Sequence, residues 1–400
     1  MPEMKNQIDD RDVRDVKRML EDLLRRHGPR LAGTRACLDA AQDLHKAFAR
    51  VCDRAWQQHF TLHPASFWVI PSFVAAAFTL AGLLYQFRLS ALGATAVLLA
   101  GLVFGLVQFI FLGRFFDPLF PKRPGMNVAG VTEPEKEAKR QLLICAHHDS
   151  ALRCRFMERF QVLYPFRMIP AMLLYLMTTA AFLLLPFPAL QAYLNRLIPL
   201  LLLVGSVFIL PFFFFYRCMG TPGAGDNLLA SVLLVKTAGM LRERFGRLND
   251  TRIIWVSHDG EEVGMRGAHA FLAGHRDLLS ALPTRVINLD SLHCLEDLTL
   301  LASDRNGTVE LSPGWNRELT KLWGKIGHQP ALRALPPGGG GTDAAVYAAW
   351  GLPTASLIGL STDFIRRNMV YHTADDDVAH LDDRIIRAVL DMLQTVFAEG

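Results

Sequence analysis

Hydrophobic and polar positions alternate in two different ways along this chain. Near the amino terminus, residues 9–26 set Val13, Val16, Met19, Leu20, Leu23 and Leu24 at helical spacing between charges, which predicts an amphipathic surface helix. Gly28 to Gly33 reads as a turn, and Thr34 can cap a second helix whose apolar stripe runs from Cys37 through Leu44 to Cys52. A strand is expected at 57–62. The pattern then gives way to runs with almost no charge, at 67–87, 91–113, 168–187 and 197–216. Each is close to the roughly 20 residues needed to cross a bilayer. They pair as two helical hairpins, with Arg88 linking the first pair and Asn195-Arg196 the second. The chain therefore divides into polar segments at 1–65, 114–162 and 217–400, interrupted by apolar hairpins at 66–113 and 163–216.

Between and after the hairpins come short apolar runs of strand character that end in polar groups: 142–146 before His147-His148-Asp149, 253–256 before the Ser257–Gly264 stretch, and 286–289 before Asp290. Strands alternating with helices predict an α/β fold with helices on both faces of the sheet. In such sheets ligands gather at the carboxyl ends of the strands.

Composition sharpens the picture. Of 400 residues, 51% are hydrophobic, so an ordinary polar surface could not cover four uncharged runs. The net charge of +4, without a basic tract, gives no reason to invoke nucleic acid. Six cysteines without CxxC spacing predict free thiols. The opening residues lack the apolar core of a signal peptide. Basic residues near the runs (Arg50, Arg54, Arg114, Lys122, Arg123, Arg153, Arg155, Arg159, Arg217) outnumber those in the opposite links (Arg88, Arg196). A multi-pass membrane protein with its polar domain in the cytoplasm is the expectation.

The candidate chemistry is a set of imidazoles and carboxylates. In Asp259-Gly260-Glu261-Glu262, one glutamate can hold a metal while the other moves protons, although such a pair also suits a solvated turn. His147-x-Asp149 can place a histidine on a metal with the aspartate orienting its ring. Asp226, after Gly223-Ala224-Gly225, stands before a helical run at 228–241, where it could bridge metals or simply cap the helix. Pro336–Gly341 reads as a mobile loop, and Asp375-Asp376-Asp377, after His372, as a solvated helix start. Taken in order, His147, Asp226, Glu262, Asp290 and His372 form a mixed donor set suited to a pair of zinc ions.

These residues carry a resemblance. Ala146-His147-His148-Asp149-Ser150, Gly223-Ala224-Gly225-Asp226-Asn227, Gly260-Glu261-Glu262-Val263-Gly264, Asn288-Leu289-Asp290 and Tyr371-His372-Thr373 resemble the zinc aminopeptidases of the M28 family. The likeness extends to His27–Thr34, Asn127-Val128 and Gly341-Thr342-Asp343, but not to the apolar runs. It implies a mixed-sheet zinc-exopeptidase (phosphorylase/hydrolase-like) domain, here with four transmembrane helices added in two hairpins. It also implies two Zn2+ ions on His147, Glu262, Asp290 and His372 with Asp226 bridging, Glu261 as general base, and Asp149 supporting His147. The implied substrate is a peptide with a free amino terminus; the hairpins, outside the resemblance, add a lipid bilayer as partner and either hold the site against membrane peptides or amide-linked lipids or merely tether it. Ala344 departs from the family's usual histidine. A glutaminyl-cyclase-like acyltransferase is the alternative enzyme, but it would favour tryptophan where Tyr371 stands; a scaffold with a retained metal site is the other. Each hairpin must cross the membrane an even number of times for the five ligands to meet, and two spans each satisfy this.

Overall fold

The computed structural model describes residues 8–159, 161–360 and 369–399. Within them the strands are β1 (Arg54–Leu62), β2 (Arg123–Thr132), β3 (Arg140–His147), β4 (Leu152–Cys154), β5 (Tyr216–Gly220), β6 (Thr251–His258), β7 (Thr284–Leu292), β8 (Thr299–Asp304), β9 (Val309–Glu310), β10 (Ala331–Ala334) and β11 (Thr354–Gly359). One mixed sheet runs β1-β2-β6-β3-β7-β11-β8-β10, with β9 paired to β8. Its centre, β6-β3-β7-β11, is parallel, and β1 and β2 extend it antiparallel on one side.

Side chains alternate across this sheet with a period of two. In β3, Leu142, Ile144 and Ala146 join the core beneath helices Asp10–His27, Arg35–Val51, Leu229–Met240 and Asp383–Glu399. Leu143 and Cys145 instead face the core under Arg266–Gly274 and Ala344–Ala349. The result is three layers, α/β/α, whose parallel strands bring His147, the turn after His258, and Asp290 to one edge.

The uncharged runs fold into four helices packed as one bundle. Ala75, Phe78, Ala94 and Leu98 of the first pair meet Ala171, Tyr175, Phe182, Ile198 and Leu201 of the second in a shared core. Tyr175 Oη donates to Leu98 O across the hairpins at 2.9 Å. Among the described residues, three helices are long and apolar enough to cross a membrane: Ala91–Ile110, Gln161–Leu184 and Pro188–Phe214. The remaining one, Ile70–Gln86, is apolar but only 17 residues long. Leu92, Leu203 and Val207 point outward, at least two-thirds exposed. A water-facing bundle would carry polar groups there.

The second hairpin differs from the expected boundaries. Asn195 and Arg196 lie inside the helix Pro188–Ile209 and do not form its link. The turn falls at 185–187, where Pro186 cannot continue a helix and Pro188 starts the next one at a position that needs no N–H donor. Asn195 Oδ1 accepts from Tyr85 Oη at 3.2 Å, so this polar residue pairs with the first hairpin.

Candidate metal centre

The five candidate donors come from five separate segments. His147 ends β3; Glu261 and Glu262 sit in the turn after β6; Asp290 lies near the end of β7. Asp226 occupies a kink between Gly223 and the helix Leu229–Met240, with φ −116° and ψ 84°, and its peptide bond to Asn227 is cis. Because it sits within the kink, it is not the cap of that helix. Close approach explains the neighbouring glycines: a Cβ on Gly225 would meet the His293 ring at 2.3 Å, and Gly223 has φ +66°. His372 lies in the loop before the last helix, itself at φ +56°.

These segments converge into two donor sets that share Asp226, alongside a third, His147, Glu261 and Glu262, that lacks it. His147, Asp226 and Asp290 form one, and Asp226, Glu262 and His372 the other, with the donor atoms of each set within 4.8 Å of one another. His147 Nε2 is 3.5 Å from Asp226 Oδ1 and 3.8 Å from both Asp290 Oδ1 and Glu261 Oε2. His372 Nε2 is 3.4 Å from Asp226 Oδ2 and 3.2 Å from Glu262 Oε2. His147 Nε2, Asp226 Oδ2, Glu262 Oε1 and His372 Nε2 are buried without a hydrogen bond. Buried polar atoms are otherwise satisfied almost everywhere in proteins. Nitrogen and carboxylate oxygen donors left open toward a common point fit a divalent cation of the zinc class.

Electrostatics point the same way. Burial works to raise the Asp226 carboxyl, but His147 and His372 on either side hold it far below its usual range. Burial and Asp226 raise Glu262 to about 7. Burial, Asp290 and Asp343 raise Glu261 well above the usual carboxylate range, against the pull of His147. Although burial lowers His372, Glu262 and Asp226 lift it to about 10. The cleft thus concentrates negative charge that the two imidazoles only partly offset.

Supporting residues fix the donors. Asp149 Oδ1 lies 3.3 Å from His147 Nδ1, and the same carboxylate accepts from the backbone N–H of Glu261 (3.2 Å) and Glu262 (3.1 Å). It therefore holds three candidate site residues, not His147 alone. Asn127 Oδ1 accepts from Asp259 N, and Asp259 Oδ2 accepts from Met126 N, which ties the turn to β2.

Two supports were not legible as site residues. Asp376, expected in a solvated helix start, is buried and accepts from Gly225 N at 2.7 Å and Asp226 N at 3.3 Å. Its neighbour Asp377 does cap the short turn Val378–His380. Arg30 is fully buried and donates to the carbonyls of His148, Pro222 and Gly223, joining the His147 and Asp226 loops. The glycine-rich loop read as mobile is pinned, with Asn306 Oδ1 accepting from Gly338 N and Gly340 N. Asp343 is buried beyond it, with neither carboxylate oxygen hydrogen-bonded.

Comparison with known proteins follows this geometry. No curated protein sequence matches the chain. Among solved structures, it is similar over 98% of its length to a leucine aminopeptidase precursor from Bacteroides thetaiotaomicron (98% of that chain, 12% identity, TM-score 0.57). It is equally similar to the glutaminyl cyclase of the same organism, with 98% and 99% covered, 12% identity and a TM-score of 0.58. The zinc aminopeptidase of Bacillus subtilis matches with 97% and 94% covered, 14% identity and a TM-score of 0.57. At these identities the likeness is one of fold. A sequence profile described as Peptidase family M28 matches residues 207–397, a stretch that includes Asp226, Glu262, Asp290 and His372. Residues 207–397 thus match the M28 peptidase profile, and the chain has the mixed α/β fold seen in structures of zinc exopeptidases and glutaminyl cyclases.

Proposed function

We propose that the chain is a membrane-anchored two-zinc aminopeptidase, with His147 and Asp290 on one ion, Glu262 and His372 on the other, and Asp226 between them. The observation that carries this reading is the pair of donor sets sharing Asp226. Zinc in such a pair supplies an acidified water and stabilises the charge that develops on an attacked carbonyl. The chain's own residues do the rest. Glu261 takes the proton from the attacking water as its oxygen bonds to the carbonyl carbon, and returns that proton to the amine as the C–N bond breaks. The low-dielectric surroundings that raise Glu261 suit a base that must also act as an acid. Asp149 keeps both glutamates in register through their backbone N–H groups.

Anchoring is supported by the outward-facing apolar helices of the bundle and by their common polarity. Tyr85 packs edge-on against Phe182, so the links at 87–90 and 185–187 lie at one end, away from the richer set of basic residues. That distribution supports a cytoplasmic catalytic domain.

A cyclase reading has its own support in the likeness to the Bacteroides thetaiotaomicron glutaminyl cyclase. Product analysis separates the two. Detergent-purified protein incubated with peptides beginning in leucine or glutamine is expected to release the first residue, and Glu261→Gln is expected to lose roughly 10²–10⁴-fold in rate, the usual share of a general base. Loss of ammonia from the glutamine peptide without release of any residue would favour the cyclase.

A further inference from the structure

The bundle and the metal centre share one end of the molecule. At the second hairpin, Gln161 stands just before the helix Tyr164–Leu184, and its Oε1 accepts from Met369 N at 3.1 Å while its Nε2 donates to Met369 O. Cys154 N donates to His372 O at 2.8 Å, and the Tyr371 ring stacks on His372 at 3.8 Å. The loop carrying His372 is therefore strung on the base of this hairpin. Phe156, Met157, Phe215 and Met369 form an apolar cluster there, with Tyr164 and Tyr216 packed against it.

The first hairpin stands on the other flank. Arg266 Nη1 donates both to Gly264 O in the turn after Glu262 (2.7 Å) and to Leu112 O at the hairpin's exit (3.0 Å). Asn306, which pins the glycine-rich loop, donates to Phe109 O and Ile110 O. Lipid-facing helices thus descend on both sides of the cleft.

The base of the second hairpin also exposes apolar side chains. Leu163, Phe166, Phe214 and Met219 are 43–63% exposed at the base of the second hairpin, and Arg155 and Arg159 are exposed beside them. Large apolar side chains next to arginines suit the headgroup boundary of an anionic membrane, where the rings are withdrawn from water and the cations meet phosphate.

From this arrangement we infer that the natural substrate is a bilayer-lodged polypeptide whose free amino terminus enters the metal centre directly from the membrane surface, a few residues beyond its apolar span. The inference rests on the aminopeptidase reading and narrows its substrate. Mere tethering would also favour substrates in the same membrane, but only a cleft opening at the bilayer would accept a short reach.

The test uses the full chain in vesicles of phosphatidylethanolamine and phosphatidylglycerol. Membrane-spanning peptides with one common amino-terminal sequence are embedded in the same vesicles, their apolar span starting about 4 or about 25 residues from the amino terminus, reaches of ~14 and ~85 Å when extended. A soluble peptide of that sequence serves as reference. The expected result is that the short-reach peptide loses its first residue at least as fast as the long-reach one, and on the order of tenfold faster than the soluble peptide, from confinement to one surface. Cleavage of the soluble peptide together with only the long-reach membrane peptide would overturn the inference and leave the aminopeptidase standing. Cleavage of an amide-linked lipid in place of every peptide would overturn both, as would failure to release a residue from any of them.

Discussion

Replacing Asp149 by asparagine isolates the support that this carboxylate gives the site. The change keeps size and shape but turns one acceptor oxygen into an NH2 donor. The carboxylate serves three partners, the N–H groups of Glu261 and Glu262 and His147 Nδ1. An amide can accept from one side only, so at least one N–H then faces a donor. A hydrogen bond to a charged group is worth about 1.5–3 kcal/mol, and about 1.4 kcal/mol is a factor of ten. The expected loss is therefore about 10–100-fold, in line with what removing a group that orients a metal ligand costs. Its distribution is also predicted. Zinc affinity, read by competition with a chromophoric chelator, falls because Glu262 is no longer held and His147 keeps only the backbone carbonyl of residue 149. At saturating zinc, kcat for a leucine peptide stays reduced because Glu261 is misplaced. If both affinity and saturated kcat stayed within about twofold of the parent, the carboxylate would be a bystander and the reasoning would fail.

Arg266 and Asp117 form a buried ion pair at 2.8 Å that clamps the first hairpin to the turn after Glu262. Arg266→Met leaves the buried Asp117 carboxylate without its counter-charge, held only by Ser66 and Gln108, and is expected to cost about 3–5 kcal/mol, whereas Arg266→Met combined with Asp117→Leu recovers part of the loss; equal destabilisation of both variants in a micellar thermal melt would contradict this. Cys218 is exposed on β5, next to the second hairpin. A membrane-impermeant maleimide should label it only after cells are permeabilised, and labelling of intact cells would reverse the proposed orientation.

How far the sequence discloses this structure depends on the range of the interactions involved. Strand ends such as Cys145-Ala146-His147 and Asn288-Leu289-Asp290 are readable because apolar runs and their polar terminations are local, and the parallel sheet then aligns them. The helix cap at Thr34 is local for the same reason. Asn195 and Arg196 mislead because a polar pair resembles a link, whereas the bundle gives Asn195 a partner, Tyr85, 110 residues away in sequence. Three consecutive aspartates offer nothing to single out Asp376; its burial follows from docking under Gly225, 151 positions earlier. Arg30 is visible as part of a motif, but its role depends on carbonyls brought in from Pro222 and Gly223. The same holds for Arg266, whose acceptors Leu112 and Gly113 lie beyond an entire hairpin.

The central claim is that five side chains from separate segments hold two metal ions through a shared Asp226. Its most direct measurement is the metal content per chain of the purified protein after zinc loading and gel filtration, alongside Asp226→Ala. The account predicts two zinc ions per chain in the parent, and loss of both in the variant, because the two sets assigned to the ions both contain Asp226. A single ion in the parent, retained when Asp226 is replaced, would contradict it.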